Sequence, residues 1–242
     1  MRPPQGIVAA LAAEARTLAA RRASARGELR TLADGSLLAV SGIGLQAAES
    51  AAQRLADAGA AALVSWGIAG GLDPSLRAGA IVLPSEVIGS DGSRYATAAA
   101  WRERQLGALA ALASPAGRAA AASGRLLCCV QAIDSSAAKA QAFAATGAVA
   151  ADMESLAIAR IAAERRLPFL AVRVIVDTAG DSLPRAVVRA SRGGELRFAR
   201  LAAGIARAPW EIAGLMRLAG RYRSALASLA AAARAGLPLP PP

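Results

Sequence analysis

The chain has 242 residues, two cysteines and no histidine, and its formal charge of +11 comes almost wholly from arginine. Without histidine, Ser-His-Asp triads, imidazole acid–base chemistry and most zinc sites are excluded, so any chemistry falls to carboxylates, arginine and backbone. Hydrophobic content of 55% and a mean hydropathy of +0.39 are high, but much of the excess is alanine, which favours helix and buries little area.

No apolar stretch reaches the ~18 residues that a bilayer span needs. The arginines are scattered and aromatics are only 3%, which argues against a nucleic-acid surface. The length suits one α/β domain over residues 1–236, followed by a proline-rich tail at 237–242.

The start, MRPPQGIVAALAAEA, imitates a secretion signal, but Pro3, Pro4 and Glu14 interrupt it. It reads instead as a first strand, Gln5 to Leu11, of a cytoplasmic protein, with Glu14 opening the next helix. Residues 27–41 read as two strands joined by a turn at Ala33-Asp34-Gly35-Ser36. The second runs into Ser41-Gly42-Ile43-Gly44 and then an amphipathic helix, Leu45 to Ala58. Glycine between strand and helix lets the backbone approach an anion or a sugar, which makes Gly42 a candidate contact.

Ala61 to Trp66 is a buried strand that ends in Gly67-Ile68-Ala69-Gly70-Gly71-Leu72, glycines that can present bare backbone to a flat ligand. Asp91 to Thr97 reads as a loop and Ala98 to Ala113 as an arginine-bearing surface helix. Arg125 to Ile133 (RLLCCVQAI) reads as a central strand. Its neighbouring Cys128 and Cys129 are expected to be reduced core residues.

Val149 to Ala179 organises the rest. It reads as helix, tight turn and buried strand, with Asp152 capping the helix and Met153 and Glu154 in its first turn. Phe169 to Val176 (FLAVRVIV) is apolar except for Arg173, as in a strand covered on both faces. Asp177 follows where the strand ends, the place where open α/β folds bind ligands. Thr178 to Arg192 reads as a lid loop, Glu195 to Arg207 and Pro209 to Ala235 as helices.

Asp152–Ser155 (DMES) followed by Val172–Asp177 (VRVIVD) resembles the signature of the purine nucleoside phosphorylase and methylthioadenosine/S-adenosylhomocysteine nucleosidase superfamily. Gly67–Leu72 (GIAGGL) is similar to the GSAGGL of the nucleosidases, and the resemblance covers nearly the whole chain. It implies a single three-layer α/β domain, a mixed and mostly parallel sheet flanked by helices. It also implies cleavage of the N-glycosidic bond of a 5′-substituted adenosine, releasing adenine. Asp177 would protonate the base, and Glu14 would activate water. Glu154 and Met153 would hold the ribose, with Leu11 facing the sugar. Gly42 would lie beside the nucleophile, Ile68, Ala69 and Gly70 would line the pocket, and Ala132 and Ile133 would contact adenine by backbone.

Within that superfamily the alanine- and arginine-rich chain most resembles the hopanoid-associated phosphorylase branch, which implies conversion of adenosylhopane to ribosylhopane. Three departures matter. Ile68 replaces the nucleosidases' usual serine and makes the cleft greasier. Gly79 stands where phosphorylases place an arginine for phosphate, with Arg77 and Arg94 nearby, and the family's SGDxF pattern is absent. No cofactor or metal is implied, inorganic phosphate stays open as a co-substrate, and relatives imply a homo-oligomer.

Two alternatives stand beside this reading: a methylthioadenosine/S-adenosylhomocysteine nucleosidase, and a non-enzymatic protein of a membrane surface or nucleic acid. The last helix, with Trp210, Met216, Arg217 and Arg223, motivates peripheral contact at the inner face of a membrane. The intact set Glu14, Glu154 and Asp177 argues for catalysis.

Overall fold

The computed structural model describes residues 4–18, 27–112, 121–184, 212–234 and 236. Eleven strands form one mixed sheet in the order β2-β3-β1-β4-β10-β9-β6-β7, with β11 on β4, β5 on β11 and β8 on β5. In chain order these are β1 Gln5–Ala9, β2 Leu29–Thr31, β3 Leu37–Val40, β4 Ala62–Gly71, β5 Ile81–Val82 and β6 Glu86–Gly89. Then come β7 Arg94–Ala96, β8 Ala121–Ala122, β9 Arg125–Cys128, β10 Ala148–Asp152 and β11 Phe169–Asp177. The helices are α1 Ala12–Ala15, α2 Leu45–Asp57, α3 Ala99–Leu112, α4 Ser136–Thr146, α5 Ser155–Glu164 and α6 Ile212–Arg234.

Alternation along the two central strands builds the three layers, because successive side chains of a strand point to opposite faces. Leu63 of β4 and Phe169, Ala171 and Ile175 of β11 pack with α2 and α5 residues such as Leu55 and Ile158. Val64 and Trp66 of β4 and Leu170, Val172 and Val174 of β11 pack on the other face with Trp101 of α3 and Leu229 of α6. FLAVRVIV is therefore buried along its full length, as its composition predicts. Arg173 and Ser65 fall on the α5 side of this alternation. That parity matters for the site.

Several elements differ from expectation, each because of its pairing partners. The strand expected to end at Trp66 does not stop there: β4 continues to Gly71, since β11 pairs with it as far as Asp177 opposite Gly70. The reverse holds for Arg125 to Ile133. β9 stops at Cys128, where its neighbours also end, at Gly89 of β6 and Asp152 of β10. Residues Ala148–Asp152 form a strand on β9 and β4 rather than part of a helix, so Asp152 closes a strand and Glu154 is the N-cap residue of α5. Arg94–Ala96 forms an antiparallel strand on β6 instead of a loop. In α3, Trp101, Gln105 and Leu109 are buried at helical spacing, so one side of that helix belongs to the core.

The turn at Ala33–Ser36 joins antiparallel β2 and β3 as read from sequence, and Ser36 N–H is held by Asp34 at 3.0 Å. Ala225, Leu229 and Ala232 bury α6 against the sheet, while Met216 is 71% exposed. Among the described residues no helix is long and apolar enough to cross a membrane. Residues 185–211 and 237–242, which hold most of the expected lid, the helix at 195–207, Trp210 and the tail, lie outside the described residues.

Leu63 is fully buried between the sheet and α2. Replacing it with alanine should cost about 2–5 kcal/mol through lost transfer energy and a residual cavity. Chemical denaturation checks this, and a loss below ~1 kcal/mol would contradict the packing described.

Candidate active site

One cleft opens at the carboxyl ends of β4 and β11, between β1 and β10. β1 pairs with β4 along Ala62–Trp66 and β10 pairs with it at Gly70 and Gly71. Ile68 lies in the gap between these ladders, and its N–H must find another acceptor. Glu14 supplies it. Its Oε1 accepts from Ile68 N at 3.0 Å, and its Oε2 accepts from Leu11 N at 2.8 Å. The second bond is the N3 arm of a capping box. A glutamate that merely capped α1 would sit in solvent; Glu14 is 2% exposed and reaches 54 residues along the chain. A Cβ on Gly67 would lie 2.7 Å from Glu14 Oε1 and 3.0 Å from an Arg173 nitrogen, so only glycine leaves room for both.

Arg173 is the electrostatic centre. Its guanidinium donates from Nε and Nη2 to Asp152 Oδ2 at 2.8 and 2.6 Å, and from Nη2 to Ser65 Oγ at 2.6 Å and Ser155 Oγ at 2.9 Å. Ser155 in turn donates its hydroxyl to Asp152 at 2.5 Å. Glu154, just before α5, is oriented by Gly44, whose N–H reaches Oε1 at 2.8 Å. Gly44 has φ +98°, a left-handed backbone that strains any residue with a side chain.

Asp177 stands apart from this group. It pairs in register with Gly70, and a Cβ on Gly70 would lie 3.4 Å from its carboxylate. Lys139, in the first turn of α4, is 1% exposed and donates to Asp177 Oδ2 and to the Thr178 carbonyl, the latter at 2.8 Å. Beyond β11, Asp181 accepts from Thr178 N and Oγ1 at 2.8 and 2.6 Å and pairs with Arg221 of α6. Leu183 N–H bonds Asp134 O at 2.8 Å and Ser182 Oγ accepts from Ser136 N at 3.3 Å. The start of the expected lid is thus tied to α4 and α6.

Of the residues singled out in the sequence, Leu11, Glu14, Ile68, Ala69, Gly70, Ala132, Ile133, Met153, Glu154 and Asp177 all line this cleft. Gly42 does not. Its N–H bonds Ala10 O at 3.0 Å, and the glycine of that turn which serves the site is Gly44. Arg77 and Arg94 are likewise absent from the lining; Arg94 faces Glu86 at 3.7 Å with its side chain 60% exposed.

Sequence reasoning missed Lys139 and gave Arg173 no role. Both carried a signal: Arg173 is the one charge within an apolar strand, and Lys139 is the only lysine among 28 basic residues. A buried charge without a partner is too costly to persist, so Arg173, set within a buried strand, implied a buried carboxylate. The cysteines match expectation. Both are free, and burial pushes the Cys128 thiol far up, which leaves it inert.

Burial raises the Glu14 carboxyl above its usual range, against the pull of Arg173. Burial and then the charge of Asp152 push Glu154 up to about 7, again opposed by Arg173. Burial also raises Asp177, with Lys139 working the other way. Burial thus holds all three acids above their ordinary values, against the pull of the cations beside them.

Because Glu154 rises from 4.5 to about 7 on folding, its contribution to stability is fully present below the lower value. It is lost as pH rises through the upper one. The Glu154→Gln variant keeps an acceptor for Gly44 and has no proton to lose. Its unfolding midpoint relative to the parent should climb between about pH 5 and pH 8. A difference that stays flat across that range would contradict the buried, coupled carboxyl.

Residues 6–207 match the family described as the phosphorylase superfamily, while no curated protein matches the sequence. Among solved structures the fold is similar to a 5′-methylthioadenosine/S-adenosylhomocysteine nucleosidase from Neisseria meningitidis in complex with methylthio-immucillin-A. The identity is 22%, the coverage 85% of this chain and 99% of that one, and the TM-score 0.64. A Helicobacter pylori methylthioadenosine nucleosidase mutant with 5′-methylthioadenosine in its active site matches with TM-score 0.69 at 14% identity, over 96% and 98% of the two chains. Futalosine hydrolase of the same organism matches with TM-score 0.60 at 16% identity, over 83% and 94%. At these identities the structures speak for the fold alone, and the family match over most of the length carries membership: the chain belongs to the phosphorylase superfamily of enzymes.

Proposed function

We propose that the chain cleaves the N-glycosidic bond of a 5′-substituted adenosine and releases adenine, with water as the nucleophile. The observation that carries this reading is that Glu14, Glu154 and Asp177, all buried, line one cleft whose wall at Ala69 and Gly70 is nearly bare backbone. A purine lies flat against such a wall with its edge toward Asp177. Departure of adenine requires a proton on N7, and a carboxyl raised by burial is suited to give it. The ribose then gathers oxocarbenium-like positive charge, which the carboxylate of Glu14 stabilises. Glu154, fixed by Gly44, accepts the ribose hydroxyls, and Met153 packs on the sugar. Glu14 deprotonates the water that attacks the anomeric carbon. The anchor points of Glu14 and Asp177 on β4, at Ile68 and Gly70, are two residues or ~7 Å apart along the strand. That leaves room for a sugar and a water between acid and base.

Water is favoured over phosphate by charge. Among the described residues that line the cleft, Lys139 is the one cation, and Asp177 engages it. A phosphate would meet the negative charge of Glu14, Asp152 and Glu154. For the 5′ group we take adenosylhopane, giving ribosylhopane, as the substrate. Leu11, Ile43, Ile68, Leu72, Val176 and Leu183 make the lining apolar, and Val130, next to the lining residue Cys129, is 68% exposed. Met216, Arg217 and Arg223, exposed on α6, suit contact with the anionic membrane that would hold such a lipid.

Purified protein incubated with adenosylhopane, 5′-methylthioadenosine and adenosine, with and without phosphate, should release adenine without phosphate and fastest from the hopanoid. Mass spectrometry reads the products. A sugar 1-phosphate would replace water by phosphate, and preference for methylthioadenosine would remove the lipid. Asp177→Asn should lower kcat by ~10²–10⁴, the range for a positioned proton donor, and unchanged turnover would sink its assignment. Glu154→Gln should act mainly on KM.

A further inference from the structure

Lys139 has no part in the reaction as derived so far, yet its placement is unusual. It is fully buried, it lines the cleft, and its ammonium donates to Asp177 and to the Thr178 carbonyl. Two acceptors leave one of its three N–H donors unused. It sits in the first turn of α4, whose N-cap Ser135 accepts the Ala138 N–H at 3.3 Å. The chain uses arginine at every other basic position. Arginine cannot be deprotonated in a protein, whereas a buried lysine can. A counter-ion needs only charge; a lysine at this one position offers a transferable proton.

We propose that Lys139 is the proton reservoir of Asp177: it transfers a proton to the Asp177 carboxylate, which passes it to the departing base. This rests on the assignment of Asp177 as the acid in the proposed reaction. The Lys139 Nζ–H bond breaks and an Asp177 O–H bond forms, converting an ion pair into a neutral pair that a dry cleft tolerates better. As the N-glycosidic electron pair moves onto the purine, the Asp177 proton moves to its ring nitrogen, and adenine leaves neutral. Water adds to the sugar and gives its proton to Glu14. Lys139 regains a proton, and Glu14 loses one, through solvent when the cleft opens. The other charges facing Asp177 are Asp181, which follows β11, and Arg221 of α6; they pair with each other and so leave the proton to Lys139.

The test compares Lys139→Arg and Lys139→Met with the parent, following adenine release from 5′-methylthioadenosine across pH. Lys139→Arg keeps the charge but withholds the proton, and should lower kcat at neutral pH by ~10²-fold with little change in KM. Lys139→Met leaves Asp177 to carry its own proton, and should keep activity on the acid side with the alkaline limb moved to lower pH. Parental kcat and pH profile in the arginine variant would overturn the proposal, because a counter-ion role predicts that rescue.

Labelling with ¹³C,¹⁵N-lysine gives a second readout that reports one residue, even where a variant does not fold. In the free parent protein, with aspartate ¹³C-labelled as well, the Lys139 side-chain signal should move in step with the Asp177 carboxyl signal across pH, as coupled groups do. Asp177→Asn should abolish that joint step. A Lys139 signal that ignores both Asp177→Asn and the titration of Asp177 overturns the proposal, whether or not the parent releases adenine. Joint titration in a parent that releases none would strike the activity reading alone.

Discussion

A single guanidinium inside the sheet sets the terms for everything at the cleft. Arg173 is surrounded by the charges of Asp152, Glu154 and Glu14, and it can give a close, two-point bond to only one of them. Asp152 takes it. Breaking such a buried pair from one side costs about 3–5 kcal/mol, because the remaining charge is stranded. The fold therefore has to bring four elements to one point: the α5 face of β11, Ser65 of β4, the end of β10 and the first residue of α5. Strand parity makes this possible. Arg173 and Ser65 occupy the same face only because each lies an even number of residues from neighbours packed against α2 and α5.

The consequence is an incomplete neutralisation that has chemical use. Glu14 and Glu154 feel Arg173 without a direct bond to it, and burial raises both. The lining carboxylates outnumber the cations beside them, so the resting site lacks positive charge. In the proposed reaction, a sugar that develops oxocarbenium character would supply what is missing, and only as the bond breaks. Interactions of that kind lower the barrier rather than merely bind substrate. The net charge of +11 on the whole chain is thus a poor guide to the cleft, which is acidic.

How much of this was legible depended on whether a residue's role was local. FLAVRVIV announces its burial by composition, and Asp177 announces its place by following it, so the central strand and its terminal acid could be read directly. Glu14 and Glu154 came from the motif resemblance, and the cleft brings both to Asp177's neighbourhood. What escaped depended on partners distant in sequence. β9 ends at Cys128 because β6 and β10 end there, a fact that the apolar run RLLCCVQAI does not contain. The turn Ser41–Gly44 offered two glycines, and the choice of Gly44 is made by a carboxylate 110 residues later. Lys139 lies in an alanine-rich helix where nothing nearby suggests a buried cation; its uniqueness among arginines was the one clue.

The same distinction between backbone and side chain lets the polarity of the cleft change while its carboxylates stay in place. Glu14 is held by the main-chain N–H of Ile68, which any residue but proline provides. The room for its carboxylate comes from Gly67, and Gly71 is as tightly confined, a Cβ there lying 3.1 Å from Ile175 and 3.2 Å from the Asp177 carbonyl. These glycines are fixed by the acids beside them. Ile68, in contrast, contributes to the cleft only a side chain that packs partly against the α3 and α6 layer. Exchange of a hydroxyl for a branched hydrocarbon at that position alters the polarity of the cleft and leaves the bond to Glu14 intact. In the proposed reaction, substrate preference at position 68 is separable from catalysis for that reason, and a greasy residue there is compatible with a fully assembled set of carboxylates.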